Sequence, residues 1–231
     1  MNGLADYKIK LIELIAQSGV LMFGDFTTKS GRQSPYFINS GYYKTGEQAE
    51  LIGAYYAAFI HERLKDRFDV LFGPAYKGIP LCALTSAALY RLYGINAGYC
   101  FNRKEAKDHG EGGIFVGWQP KDGDRVVIIE DVITAGTSVR EVYPLLKAAA
   151  GVSITDMVIS VDRMEKGYNG LTAAEEVKSE FGVTVHALVN VLDIIDYLYN
   201  RQIDGKIYID DEMKQKMLAY VEKYCAKQYT A

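Results

Sequence analysis

The sequence predicts an α/β protein built on a parallel sheet flanked by helices, with a smaller cap contributed by its two ends. Three observations carry that expectation. Short β-branched runs alternate with helix-length segments that open on capping residues, the pattern of strand, crossover helix and next strand. The central run, residues 126–129, has no polar alternation, as a strand covered on both faces requires. Polarity then changes abruptly at Glu130 and Asp131, and small residues at 134–138 lead into a helix with Val139, Val142, Leu145 and Leu146 at apolar spacing. In open α/β sheets this carboxyl edge is where ligands bind.

The elements follow in order. Asp6 is placed to cap a first helix with the stripe Leu11, Leu14 and Ile15, and Gly19 to stop it. Residues 21–43 alternate short apolar segments with Gly24, Gly31, Pro35 and Gly41 and predict strands and turns. Thr45 and Gln48 form a capping-box pattern opening a long helix to about residue 65. Residues 69–72 predict a core strand ending on Gly73, Pro74, Ala75, Tyr76, Lys77 and Gly78. Pro80 suits the first turn of the next helix, which carries Leu81, Leu84 and Ala88 and runs to Tyr93. A strand at 97–102 leads into an arm, residues 103–113, where Arg103, Lys104, Lys107 and His109 are interspersed with acids and with Gly110, Gly112 and Gly113. Beyond the central motif, Gly151 closes a helix, 157–161 predicts a strand ended by Asp162 and Arg163, and Thr172 with Glu175 makes a second capping box. Residues 183–189 predict another core strand. The tail carries a short helix near Ile194, a strand at 207–209, and a helix with Met213, Met217, Val221 and Tyr224 on one side. A single domain over 1–231 is expected, its core at about 45–190 and its cap from about 1–44 and the C-terminal segment.

Composition narrows the function. Hydrophobic residues make 49%, charged residues 24%, and the formal net charge is -3, values of a soluble globular protein that argue against a broad nucleic-acid or membrane face. No run reaches the ~18 apolar residues of a membrane span. Asp6, Lys8, Lys10 and Glu13 interrupt the first apolar residues, unlike a secretory leader. Cys82, Cys100 and Cys225 are odd in number and far apart, so neither a disulfide framework nor a zinc site is expected. These features together predict a cytoplasmic protein.

The chemistry concentrates at residues 130–138. Small side chains let backbone N–H groups approach an anion, and the helix N-terminus adds partial positive charge at the same place. Two acids beside such a cradle repel phosphate, so their partners are sugar hydroxyls or a divalent cation. Together the features point to a phosphorylated sugar. Neither the triphosphate-gripping Gly-x-x-x-x-Gly-Lys-Ser/Thr nor the dinucleotide Gly-x-Gly-x-x-Gly pattern is present, which excludes those two readings. Read alone, Lys29 is a solvated turn residue. Tyr76 and Lys77 fit either an anion contact or a rigid turn, and the 103–113 arm fits either an active-site lid or a solvated hairpin tip.

Residues 126–141 resemble the phosphoribosyl diphosphate (PRPP) signature of type I phosphoribosyltransferases. Residues 26–37, 72–80 and 101–113 resemble the members of that family that accept orotate, and the likeness extends from about residue 21 to 163. The resemblance implies the type I phosphoribosyltransferase-like fold and a pentosyl-transferring glycosyltransferase that converts PRPP and orotate to orotidine 5'-phosphate and pyrophosphate in pyrimidine (UMP) biosynthesis. It further implies Mg²⁺ bound mainly through PRPP, with no direct protein ligand assigned, and a homodimer whose arm completes the neighbouring site. By the same likeness Lys29, Tyr76, Lys77, Arg103, Lys104, Lys107 and His109 contact PRPP. Glu130, Asp131, Val132, Ile133, Thr134, Ala135, Gly136, Thr137 and Ser138 hold its ribose 5-phosphate. Phe37 and Ile38 line the orotate site through their backbone, Thr134 lies beside it, and Arg163 faces the orotate carboxylate. Lys107, Arg103, His109 and Asp131 are expected to serve the chemistry. Ile38 departs from the aromatic often found there in bacterial relatives, and Glu130 stands for the signature's Asp. A purine-specific relative or a PRPP-sensing regulator would share the cradle. The last 60 residues imply no function.

Overall fold

The computed structural model describes residues 4–28, 31–105, 113–133, 136–167 and 170–226. Helix α1 (Asp6–Gln17) buries Leu11, Ile12, Leu14 and Ile15. Its capping position is Ala5, and Asp6 sits one residue inside, paired with Lys10, where an acid still favours the helix N-terminus. Strands β1 (Leu21–Thr27) and β2 (Gln33–Ile38) form an antiparallel hairpin. Helix α2 (Gly46–Arg63) opens on the expected Thr45–Gln48 capping box. Strand β3 (Val70–Gly73) is buried throughout, and α3 (Gly78–Tyr93) ends on left-handed Gly94. Next come β4 (Gly98–Asn102) and β5 (Phe115–Gly117), a three-residue strand too short to register as a hydrophobic pattern. Strand β6 (Arg125–Ile133) feeds α4 (Thr137–Ala149), followed by β7 (Ser153–Asp162) and by α5 (Ala173–Phe181), which opens on the Thr172–Glu175 capping box. Strand β8 (Thr184–Asn190) runs directly into α6 (Val191–Leu198). The small hairpin of β9 (Gln202–Ile203) and β10 (Lys206–Ile207) replaces the single strand expected at 207–209, and α7 (Asp211–Tyr224) closes the fold.

Six strands make one sheet in the order β5-β4-β3-β6-β7-β8, parallel except for the edge pair β4–β5. Along β6 the side chains alternate between two cores, as the period of two requires. Val127 and Ile129 pack with Tyr56 and Ile60 of α2 on one face. Val126 and Ile128 pack with Val139, Val142 and Leu146 of α4 on the other. From β3 the chain winds outward to β4, and from β6 it winds the other way to β7. The crevice between the carboxyl ends of β3 and β6 is therefore the topological switch point at which such sheets bind ligands. The β1–β2 hairpin packs on α7, with Tyr36 and Tyr220 edge to face at 5.8 Å.

Candidate active site

Strand β6 continues four residues beyond its apolar run, so Glu130 and Asp131 lie inside the strand rather than just past its end. Backbone pairing is indifferent to side-chain polarity, and β7 extends far enough to hold the pairs Glu130↔Ile159 and Ile133↔Asp162. Both acids are buried. The Glu130 carbonyl accepts from Tyr56 Oη at 2.6 Å, and its Oε1 accepts from the Asp131 N–H at 3.2 Å. Burial first, and the neighbouring Asp131 second, raise the Glu130 pKa above the ordinary carboxylate range. Asp131 Oδ2 accepts from Ser40 Oγ at 2.7 Å and from Lys77 Nζ at 3.2 Å, and Ser160 Oγ donates to its carbonyl at 2.7 Å. Lys77, from the turn after β3, thus meets the second acid directly.

That turn lies hard against β6. A Cβ on Gly78 would stand 2.8 Å from the Ile129 carbonyl oxygen, and one on Gly73 2.3 Å from the Gly78 carbonyl oxygen. The glycines are what let a Tyr-Lys turn sit on the strand at all. The Ala75–Tyr76 peptide is cis, and the Tyr76 side chain is 69% exposed. Asn102 Oδ1 accepts from the Ala75 N–H at 3.1 Å, joining the turn to the base of the arm. There Arg103 donates to the Gly113 carbonyl at 2.9 Å, and Lys104 Nζ stands 5.0 Å from the centre of the Tyr76 ring. Tyr76, Asn102, Arg103 and Lys104 share a 330 Å³ pocket. A larger hollow of 730 Å³, between the ends of α2 and α3 around His61 and Tyr93, lies toward the amino edge of the sheet and includes none of these groups.

Gly136 caps α4 with φ 68° and no side-chain cap hydrogen bond, leaving first-turn N–H groups for another acceptor. A Cβ here would press to 2.9 Å from Val177 Cγ2 of α5. Thr137 is exposed and Ser138 half-buried beside it. Lys29, Lys107, His109, Thr134 and Ala135 lie outside the described residues.

Arg163 follows β7 directly, so it emerges on the same sheet edge as the β6 acids. It is 4% exposed, donating from Nε to Glu165 Oε1 at 2.7 Å and from Nη2 to Ser34 Oγ at 3.1 Å and Tyr220 Oη at 3.2 Å. Phe37 is half-buried and stacked on Phe26 at 5.5 Å. Ile38 is buried in the core and aligned with Leu21 across the hairpin. An aliphatic side chain is therefore accommodated there as core packing. Sequence reading missed Ser40, Tyr56, Glu165 and Tyr220. Ser34 and Arg32 stood within the 26–37 segment, but nothing in the order of residues tied them to Arg163.

Residues 40–188 match the model of the phosphoribosyl transferase domain. A Clostridium acetobutylicum protein named orotate phosphoribosyltransferase is 50% identical, over 96% of this chain and 99% of its own. One of the same name from Lachnoclostridium phytofermentans is 48% identical over 94% and 97%. The crystal structure of orotate phosphoribosyltransferase from Francisella tularensis superposes with a TM-score of 0.78 at 38% identity, covering 94% of this chain and all of that one.

Proposed function

The chain belongs to the orotate phosphoribosyltransferase family, and from that premise we propose how its sheet edge performs the family's reaction. The reaction transfers the 5-phosphoribosyl group from PRPP to orotate, giving orotidine 5'-phosphate and pyrophosphate, in pyrimidine biosynthesis. One observation carries the assignment of residues. Adjacent strands β6 and β7 deliver, side by side, the acids with the Gly136 cradle and the buried Arg163, so a donor sugar phosphate and an anionic acceptor meet at one edge.

In this reading residues 130–138 hold the ribose 5-phosphate, the phosphate on the N–H groups of 136–138 and the ribose hydroxyls facing Glu130 and Asp131. Tyr76, Lys77, Arg103 and Lys104 line the diphosphate path, joined by Lys29, Lys107 and His109. Phe37, Ile38 and Thr134 border the acceptor, whose carboxylate meets Arg163. Breaking the bond from ribose C1 to the diphosphate puts positive charge on the ring and negative charge on the leaving group. Fixed cations on the leaving group lower that barrier, and closure of the arm excludes water that would compete with the pyrimidine nitrogen.

Among the described residues no cluster of three His, Cys, Asp or Glu side chains suits a metal ion. The donor set fits instead a Mg²⁺ that arrives on PRPP, because Mg²⁺ keeps most of its water and takes one or two carboxylates beside substrate phosphates. No protein ligand is assigned to the ion, which would be held mainly by PRPP beside Asp131 and, when bound, would neutralise diphosphate charge. Homodimerisation, with each arm completing the other site, belongs to the same proposal. So does a cytoplasmic location, which the three buried free cysteines suit because reducing compartments keep thiols unpaired.

The test is the loss of orotate absorbance on adding PRPP and Mg²⁺. Consumption of orotate that stops on chelation of the metal is the expected result. Turnover of adenine in place of orotate would transfer the acceptor site to a purine.

A further inference from the structure

We propose that Glu165 and Tyr220 are positioning residues for the acceptor, holding Arg163 so that its Nη1 is presented to the orotate carboxylate. Helix α7 is thereby part of acceptor recognition. The proposal rests on the reading of Arg163 given above and adds how that arginine is aimed.

Glu165 is buried and is the hub. Its Oε1 accepts from Arg163 Nε at 2.7 Å and from Tyr220 Oη at 2.6 Å, while Oε2 accepts from Arg32 Nη1 at 2.9 Å. The Tyr220 hydroxyl works in both directions, donating to Glu165 and accepting from Arg163 Nη2 at 3.2 Å. Burial first, and the Glu165 hydrogen bond second, push its pKa up to about 12, so it keeps the proton it donates. The guanidinium also lies 4.2 Å from the centre of the Tyr36 ring and 5.8 Å from that of Tyr220, which restrains its plane. Nε and Nη2 are thus committed, while Nη1 donates to no group among the described residues. A planar guanidinium anchored through Nε and Nη2 offers Nη1 to a carboxylate with little further loss of rotamer freedom. Arg32 extends the cluster, since it also donates to the Lys166 carbonyl at 2.8 Å.

Steady-state kinetics on the full chain test this, with orotate and PRPP varied in turn. Tyr220→Phe removes one oxygen and two hydrogen bonds, and is expected to raise the orotate KM about three- to tenfold. The PRPP KM should stay within about twofold. Glu165→Gln keeps the shape but loses the charge and is expected to raise the orotate KM further. In an Arg163→Lys background the Tyr220→Phe effect should shrink below about twofold, because coupled residues lose their interaction when the shared partner is gone. If Arg163→Lys raises the orotate KM and Tyr220→Phe does not, positioning is overturned and the carboxylate reading of Arg163 stands. An unchanged orotate KM in Arg163→Lys removes both. A parallel rise in both KM values would mark a structural role and overturn the proposal. Should Glu165→Gln fail to fold, the single-atom change at Tyr220 still decides.

Discussion

Around the proposed phosphate cradle the groups facing the ligand are backbone N–H groups of one short segment, left open by Gly136 and supported from behind by Val177. Around Arg163 they are side chains gathered from the β1–β2 hairpin, the end of β7 and helix α7. The first half has small residues because side chains would obstruct it. The second has large residues because a guanidinium needs walls. A site made of backbone is written in consecutive residues, whereas a site made of side chains is assembled only when distant elements dock. The two halves should therefore fail differently when mutated, and each prediction below presses on that contrast.

The largest effect belongs to the arm, which neither half contains. Lys107→Ala is expected to lower kcat about 10²- to 10³-fold, the scale of one preorganised charge-stabilising donor. Mixing Lys107→Ala chains with Asp131→Asn chains should restore part of the activity if arms are shared across a dimer. Unchanged kcat in the single variant would detach the arm from the chemistry, and mixtures as inactive as their components would make each site private.

Next is Gly136→Ala. A left-handed φ costs an L-residue roughly 1–2 kcal/mol, and the added Cβ must also displace Val177 Cγ2 from 2.9 Å. The PRPP KM is expected to rise about tenfold, the equivalent of ~1.4 kcal/mol, as the cradle distorts. The orotate KM should move little, because Arg163 is held from the opposite side by Glu165 and Tyr220. Equal rises in both would show that the two halves are mechanically one.

The same contrast decides what could be read from the chain. Val126 to Ile129 announced a doubly covered strand, and Thr45 with Gln48, like Thr172 with Glu175, announced helix starts, because each signal lies within a few residues. The cradle could be proposed from the sequence for that reason too. The end of β6 was not, since pairing to β7 carries the strand through Glu130 and Asp131 whatever their polarity. Nor was β5, where three residues are too few for a period. Helix α7 showed an apolar stripe through Met213, Met217 and Val221. Only docking on β2 reveals that Tyr220, on that stripe, turns its hydroxyl to Glu165. Sequence order records which residues can be inside, but not which buried polar tips will meet.

The smallest effect on turnover, and the most diagnostic of the donor half, concerns Glu130. Its folded-state pKa is raised by burial first and by Asp131 second, so between the ordinary glutamate range and that raised value the folded chain holds a proton that the unfolded chain has released. Unfolding then sheds a proton, and by linkage the contribution of Glu130 to stability is full at low pH and is lost as pH rises through that window. Glu130→Gln cannot ionise and keeps a similar shape. Melting temperatures measured from about pH 5 to about pH 8 should therefore show the variant gaining on the native chain as pH rises past the ordinary carboxylate range. A constant difference would mean that Glu130 is ionised throughout in the folded protein. Two adjacent negative charges would then face the ribose, with Lys77, 3.2 Å from Asp131, left to balance them.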